Sequence, residues 1–125
     1  MIAVDSSSLI AYFQGEAGED IKQIDECLTY NNLILPPLVL SELLSDSKIP
    51  KKMAEFLKSM PIMEIKSGYW SRCGYFRAKL LEKGLKAKMA DTLIAQICID
   101  HNFSLITRDE DFRHFVNYGD LVLFK

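Results

Sequence analysis

Seventeen acidic side chains are spread over this chain of 125 residues, and a few of them stand where a carboxylate could do chemistry. Asp5 directly follows the apolar run Ile2-Ala3-Val4. If that run is a buried strand, the strand delivers a carboxylate to its own end; the local alternative is a helix N-cap, a role Asp fills well. Glu42 lies inside Leu38-Val39-Leu40-Ser41-Glu42-Leu43-Leu44. At about 3.6 residues per turn it falls between Leu38 and Val39, at the edge of an apolar stripe. An acid there meets a desolvation penalty unless something compensates, and the alternative is a solvated edge residue, which also describes Asp46 one turn on. Asp91 shares a helix face with Ile94, Ala95 and Cys98, three, four and seven positions later. Its alternative is a first-turn acid favoured by the helix dipole. Thr107-Arg108-Asp109-Glu110-Asp111-Phe112 offers two acids. We assign Asp109, nearer the expected strand end, to the site, and Asp111 to the cap of a short helix leading into Phe112 and Phe115.

Each acid alone is weak evidence, but Asp5, Glu42, Asp91 and Asp109 together describe one chemistry. Four carboxylates converging on one crevice repel one another. Hard cations that take oxygen ligands, Mg²⁺ or Mn²⁺, remove that repulsion. Such a site activates water and steadies the charge of an in-line attack on a phosphodiester. Zinc is not indicated: His101 and His114 are isolated, and Cys27, Cys73 and Cys98 show no CxxC spacing. Lys86, Lys88 and Arg108 are expected phosphate contacts near the acids, with Lys83, Arg72, Arg77 and Lys79 close in sequence; an ordinary solvated face is the alternative. Tyr69, Trp70, Tyr75 and Phe76 read more readily as core or interface than as base-stacking surface.

These residues need elements to position them. Ile2–Val4, Leu33–Leu35, Ile62–Ile65, Ser104–Thr107 and Leu121–Phe124 are short apolar runs that predict strands. Between them the pattern predicts helices: one started by Ser6, Ser7 and Ser8, others over Glu19–Tyr30, Pro37–Asp46, from Pro50, over Tyr69–Lys83, and over Met89–His101 capped by Asn102. Strands alternating with helices mean βαβ units, hence a three-layer α/β/α sandwich around a mostly parallel sheet of about five strands. Ligands in such folds bind beyond the carboxyl ends of the strands, where Asp5 and Asp109 fall.

The bulk properties narrow the class. One domain over residues 1–125 suits the length, and 49% hydrophobic residues suffice for a core. A net charge of −2 argues against coating nucleic acid by bulk charge, though not against an enzyme that reaches phosphates through metal. An odd number of scattered cysteines suits a reducing cytosol. An acid at position 5 argues against a secretory signal, and no apolar run approaches the ~20 residues of a membrane helix, so a cytoplasmic protein is expected. Rival chemistries at sheet edges fit poorly. Haloacid-dehalogenase-like phosphatases need Asp-x-Asp after the first strand, and position 7 is Ser; a receiver domain needs an Asp where Glu64-Ile65-Lys66 stands; and no GxxxxGK[ST] or GxGxxG occurs.

With its acids in that order, the chain resembles the PIN-domain family, especially the small VapC-type toxins. The resemblance rests on Val4-Asp5-Ser6-Ser7 with Leu9-Ile10, Pro37 to Leu44 around Glu42, Ala90-Asp91-Thr92-Leu93-Ile94-Ala95, and Leu105 to Phe112. It implies a Rossmann-like α/β/α fold and a ribonuclease dependent on Mg²⁺ or Mn²⁺. Asp5, Glu42, Asp91 and Asp109 would take the four acidic roles, with Ser6 and Thr107 supporting them by hydrogen bonds. It further implies an RNA substrate, an antitoxin partner and a homodimer. A non-catalytic PIN module that binds RNA or a partner protein is the alternative; its usual mark is loss of an acid, and all four are present here.

Overall fold

The structure, a computed structural model, describes residues 1–125. Its centre is a parallel sheet in the order β2-β1-β3, with β1 at Ile2–Val4, β2 at Leu33–Ile34 and β3 at Leu105–Ile106. Ile2 and Ala3 pair with Leu33 and Ile34; Ala3 and Val4 pair with Leu105 and Ile106. Successive strand residues face opposite sides of a sheet. Ala3 and Val4 are both fully buried, as are Leu105 and Ile106, so helices cover both faces. This explains why the strands read as unbroken apolar runs.

Two of the five expected strands shrink to single bridges. Ile62 pairs in parallel with Leu35, and Leu123 with Leu105. Two hydrogen bonds hold each one, Leu35 N–H to Pro61 O (3.0 Å) with Met63 N–H to Leu35 O (2.9 Å), and Leu105 N–H to Val122 O with Phe124 N–H to Leu105 O (both 2.9 Å). The reason is burial: of Ile62, Met63 and Ile65 only Met63 is buried, and Val122 is exposed. Exposed Ile65 and Val122 leave each outer segment little buried surface over which to extend its pairing, although Leu121, Leu123 and Phe124 pack on the core.

The helices are α1 (Ser6–Phe13), α2 (Glu19–Thr29), α3 (Pro37–Leu44), α4 (Lys51–Ser59), α5 (Tyr69–Glu82), α6 (Met89–His101) and α7 (Arg113–Asn117). Pro37 opens α3, where its missing N–H has no partner to lose. Asn102 closes α6 in the left-handed conformation, at φ 57°. None of these helices is long and apolar enough to cross a membrane. The three cysteines are free and buried.

α6 brings Asp91 to the sheet, and an ion pair ties α6 to α5. Arg72 Nη2 and Nε donate to Asp100 Oδ2 (2.6 Å) and Oδ1 (3.0 Å), and Gln96 Nε2 donates to the same Oδ1 (2.9 Å). Burial alone would raise the Asp100 carboxyl, but the Arg72 and Gln96 hydrogen bonds outweigh it and hold it below the usual range. A depressed carboxyl stabilises the fold above its unfolded pKa and loses that contribution as pH falls. Asp100→Asn should therefore lower Tm by a few degrees at neutral pH, with the difference closing in acid. Thermal melts at two pH values check this.

Candidate functional site

The carboxyl ends of β1 and β3 and the start of α6 meet at one edge of the sheet. Asp5 leaves β1 buried, at 3% exposure, and caps α1: its Oδ1 accepts from Ser8 N–H at 3.2 Å. Ser7 Oγ donates to Oδ1 (2.9 Å) and Oδ2 (3.0 Å), and Thr107 Oγ1 donates to Oδ2 at 2.6 Å. The same Thr107 oxygen accepts from Asp109 N–H at 3.0 Å. One hydroxyl therefore sets the spacing between Asp5 and the Asp109 loop. Asp109 Oδ1 accepts from Asp111 N–H at 2.9 Å and so starts the 3₁₀ turn Glu110–Phe112.

Asp91, Asp109 and Asp111, all half-buried, each offer a carboxylate oxygen, and these atoms lie within 4.8 Å of one another. Burial, the charge of Asp109, and the lesser effects of Asp111 and Asp5 push the Asp91 carboxyl up to about 6, against a pull from Lys88. Asp5 is raised mainly by burial and slightly by Asp109; hydrogen bonds from Thr107, Ser8 and Ser7 oppose the rise. Lys86 Nζ and Lys88 Nζ approach Asp111 Oδ2 at 3.4 and 3.8 Å. Such exposed pairs are weakly held. The donor set is all oxygen and over-rich in negative charge, which fits a hard divalent cation and not a soft one.

The remaining expected residues fall into place differently. Glu42 is exposed on α3, and Ser6 Oγ donates to its Oε1 at 2.6 Å, which ties it to the residue after Asp5. The desolvation argued for Glu42 is therefore small. Asp91 accepts no hydrogen bond from its helix, and Lys88, at the N-cap of α6, makes no side-chain capping bond. The expected cap is corrected: Asp109, not Asp111, caps the turn, because the turn needs its carboxylate one residue before it starts. Asp109 does so while remaining among the clustered acids, which Asp111 joins. Asp46 accepts from Lys48 N–H at 2.9 Å in an exposed turn. Arg108 turns to α2, donating to Asp20 Oδ2 (2.7 Å) and Oδ1 (2.9 Å), Glu16 and Ala17 O. Gly18, at φ 151°, makes room for this clamp: a Cβ there would stand 2.6 Å from Asp20 Oδ1 and 3.0 Å from Arg108 Nη2.

Two contributors were missed in the sequence, and a third, Asp111, was given only a capping role. Ser7 serves Asp5; Asp20 holds both Arg108 and, at 2.9 Å, Ser8 Oγ; and Asp111 faces the acids. Only the Asp-x-Asp spacing of Asp109 and Asp111 carried a readable signal.

A model of the PIN domain matches residues 2–117. The chain belongs to the PIN domain family. No curated protein matches the sequence. Among solved structures, VapBC2 from Rickettsia felis, bound to a DNA fragment from its promoter, is similar at 26% identity and a TM-score of 0.75, covering 99% of this chain and 98% of that one. FitAcB from Neisseria gonorrhoeae shares the fold at 17% identity and a TM-score of 0.71, covering 100% of this chain and 97% of that one. VapBC-5 from Mycobacterium tuberculosis, a member of the VapBC family of toxin-antitoxin systems, does so at 16% and 0.68, covering 98% of each chain. The parallel sheet flanked by helices is thus the PIN arrangement, and the acids occupy its carboxyl edge.

Proposed function

We propose that this PIN domain is an endoribonuclease dependent on Mg²⁺ or Mn²⁺. Asp5, Glu42, Asp91 and Asp109 would be its acidic set, with Asp111 beside them. The observation that supports it most is the convergence of Asp91, Asp109 and Asp111 within 4.8 Å in front of the buried Asp5. A bound divalent cation supplies an activated water and Lewis-acid polarisation for phosphodiester hydrolysis. The chain's own residues orient that chemistry. Thr107 aligns Asp5 with the Asp109 loop, Ser6 orients Glu42, and Arg108 clamps the loop to α2. Lys86 and Lys88 can leave Asp111 for a phosphate; Arg108, with its donors engaged, is a positioning residue in this reading, not a phosphate contact.

The likeness to VapBC complexes extends the reading to an antitoxin partner in the cytoplasm. A mostly apolar hollow of about 290 Å³ between α1, α3 and α4, lined by Ile10, Phe13, Ile49 and Met53 with Glu42 and Asp46 also on its wall, suits an amphipathic segment of that partner. A homodimer belongs to the same reading, and exposed Trp70 and Ile65 beside Pro36 and Pro37 offer an apolar face for it. Sedimentation of the purified chain, alone and with the product of an adjacent reading frame, tests both.

Purified protein should cleave RNA with Mg²⁺ or Mn²⁺ and stop in excess chelator; activity that persists in EDTA overturns the metal reading. Asp109→Asn should damage cleavage more than Asp111→Asn, because Asp109 stands nearer the carboxyl end of β3; Asn keeps the cap on Asp111 N–H and the backbone bond to Thr107, so the loss is one of charge. The opposite order would give Asp111 the fourth acidic role. RNA binding without cleavage would identify a binding module.

A further inference from the structure

The charge of this protein is unevenly placed. Residues 77–88 carry Arg77, Lys79, Lys83, Lys86 and Lys88 against the single acid Glu82, in a chain whose net charge is −2. Arg77 is used internally, its Nε donating to Ala87 O at 2.8 Å. That bond pins the loop after α5 and presents Lys86 and Lys88 beside Asp111. At the C-cap of α5, Lys83 Nζ stands 5.2 Å from the centre of the Tyr118 ring, and from within α5 Lys79 Nζ donates to Tyr118 O at 2.8 Å. Asp111 and Tyr118 are joined by a 3₁₀ turn and α7, so at about 1.5–2 Å per residue they lie roughly 10–14 Å apart along the chain. The basic side chains therefore form a row that begins at the acidic site and ends at an aromatic residue.

Beside Tyr118 the surface opens into a hollow of about 300 Å³, lined by Tyr75, Phe76, Tyr118, Gln96 and Asp120. Tyr75 is 79% exposed and Tyr118 40%. Sequence pattern alone placed Tyr75 in core or interface; it is not in the core of this chain. Gly119 shapes the hollow, since a Cβ there would collide with the Phe76 ring and the Phe115 carbonyl. Flat exposed rings next to ammonium groups suit unpaired bases on a phosphate backbone, because every base has a face to stack and duplex bases do not offer theirs.

We propose that a single-stranded RNA segment runs from the acidic site along Lys88, Lys86 and Lys83 and places a base in the hollow between Tyr75 and Tyr118. The span corresponds to about three or four nucleotides at the ~3.4 Å spacing of a stacked strand. This rests on the ribonuclease reading for its polarity, but it makes its own claim: the hollow of Tyr75 and Tyr118 holds a base away from the scissile bond, reached along Lys86 and Lys83.

The test is binding without cleavage. A fluorescein-labelled oligouridylate is titrated with the full chain in EDTA, at low and moderate salt, and anisotropy is read for wild type, Tyr75→Ala, Tyr118→Ala, Lys83→Gln and Lys86→Gln. Each tyrosine variant should weaken binding about tenfold. Each lysine variant should weaken it several-fold and reduce the salt slope by about one. An RNA duplex of equal length should bind weakly and respond to neither tyrosine. Equal affinity of the tyrosine variants and wild type, no measurable binding by wild type, or binding of polyglutamate instead of RNA each overturns the proposal. Cleavage of the same oligomer with Mn²⁺ is scored separately. Binding without cleavage removes the nuclease reading and leaves the track; cleavage with variants that bind like wild type does the reverse.

Discussion

Asp91→Asn should abolish RNA cleavage and, in the metal-free protein, raise the melting temperature. Cleavage falls by ~10³-fold or more because a carboxylate that would hold the charge-stabilising metal is lost. The rise in stability follows from burial and neighbouring carboxylates, which push the Asp91 carboxyl from 3.8 to about 6. For an acid raised in the folded state, nothing is lost below its unfolded pKa. Destabilisation then grows as pH climbs through the folded value. The gap between variant and wild type should thus open between about pH 4 and pH 6 and stay constant above. Since Asp91 is only half-buried, solvent screening leaves about 1 kcal/mol of the nominal shift, a few degrees in Tm. Losing the favourable helix-dipole contact removes part of that. Added Mg²⁺ should raise the wild-type Tm by linkage and the variant's less. Scanning fluorimetry at two pH values, with and without Mg²⁺, reads all of this. A metal-free variant that melts lower, with no response of either protein to Mg²⁺, removes Asp91 from any metal site.

Asp5→Ala should abolish cleavage too, but with the opposite effect on the fold. Asp5 accepts from Ser8 N–H, Ser7 Oγ and Thr107 Oγ1 and is almost fully buried. Removing it uncaps α1 and strands three donors, at roughly 2–4 kcal/mol in all. Relief of the unfavourable burial of its charge offsets only part, because those same hydrogen bonds already counter the burial. Tm should fall by ~10 °C or more, and Mg²⁺ should not restore it. Two acids at one site would then be told apart by the sign of their effect on stability. A destabilisation of Asp5→Ala no larger than that of an exposed acid such as Glu55→Ala would contradict the geometry.

Local pattern carried most of the elements. The run Ile2–Val4 is apolar throughout because both faces of β1 are covered, and helix periodicity placed Asp91 on the buried side of α6. The two outer segments join the sheet as expected but only at Ile62 and Leu123, because a short run rich in apolar residues looks the same whether it pairs along its length or at a single bridge. Glu42 was read as an edge acid facing desolvation, yet α3 leaves it exposed and Ser6 compensates it.

By itself, the sequence determined the βαβ succession, the ends at which Asp5 and Asp109 emerge, and the all-oxygen character of the donors. All of these follow from short-range periodicity and residue type. Tertiary structure alone decided the rest: that Thr107 joins Asp5 to Asp109, that Asp111 and not Asp109 is free of the cap, and that Arg108 serves Asp20. It also decided that Tyr75 and Tyr118 share one hollow. Each of these depends on a contact between distant segments or on the direction in which one turn closes. Hydrophobic periodicity reports how deeply a residue is buried, whereas hydrogen-bond partnership depends on angles and distances that exist only once the chain has folded.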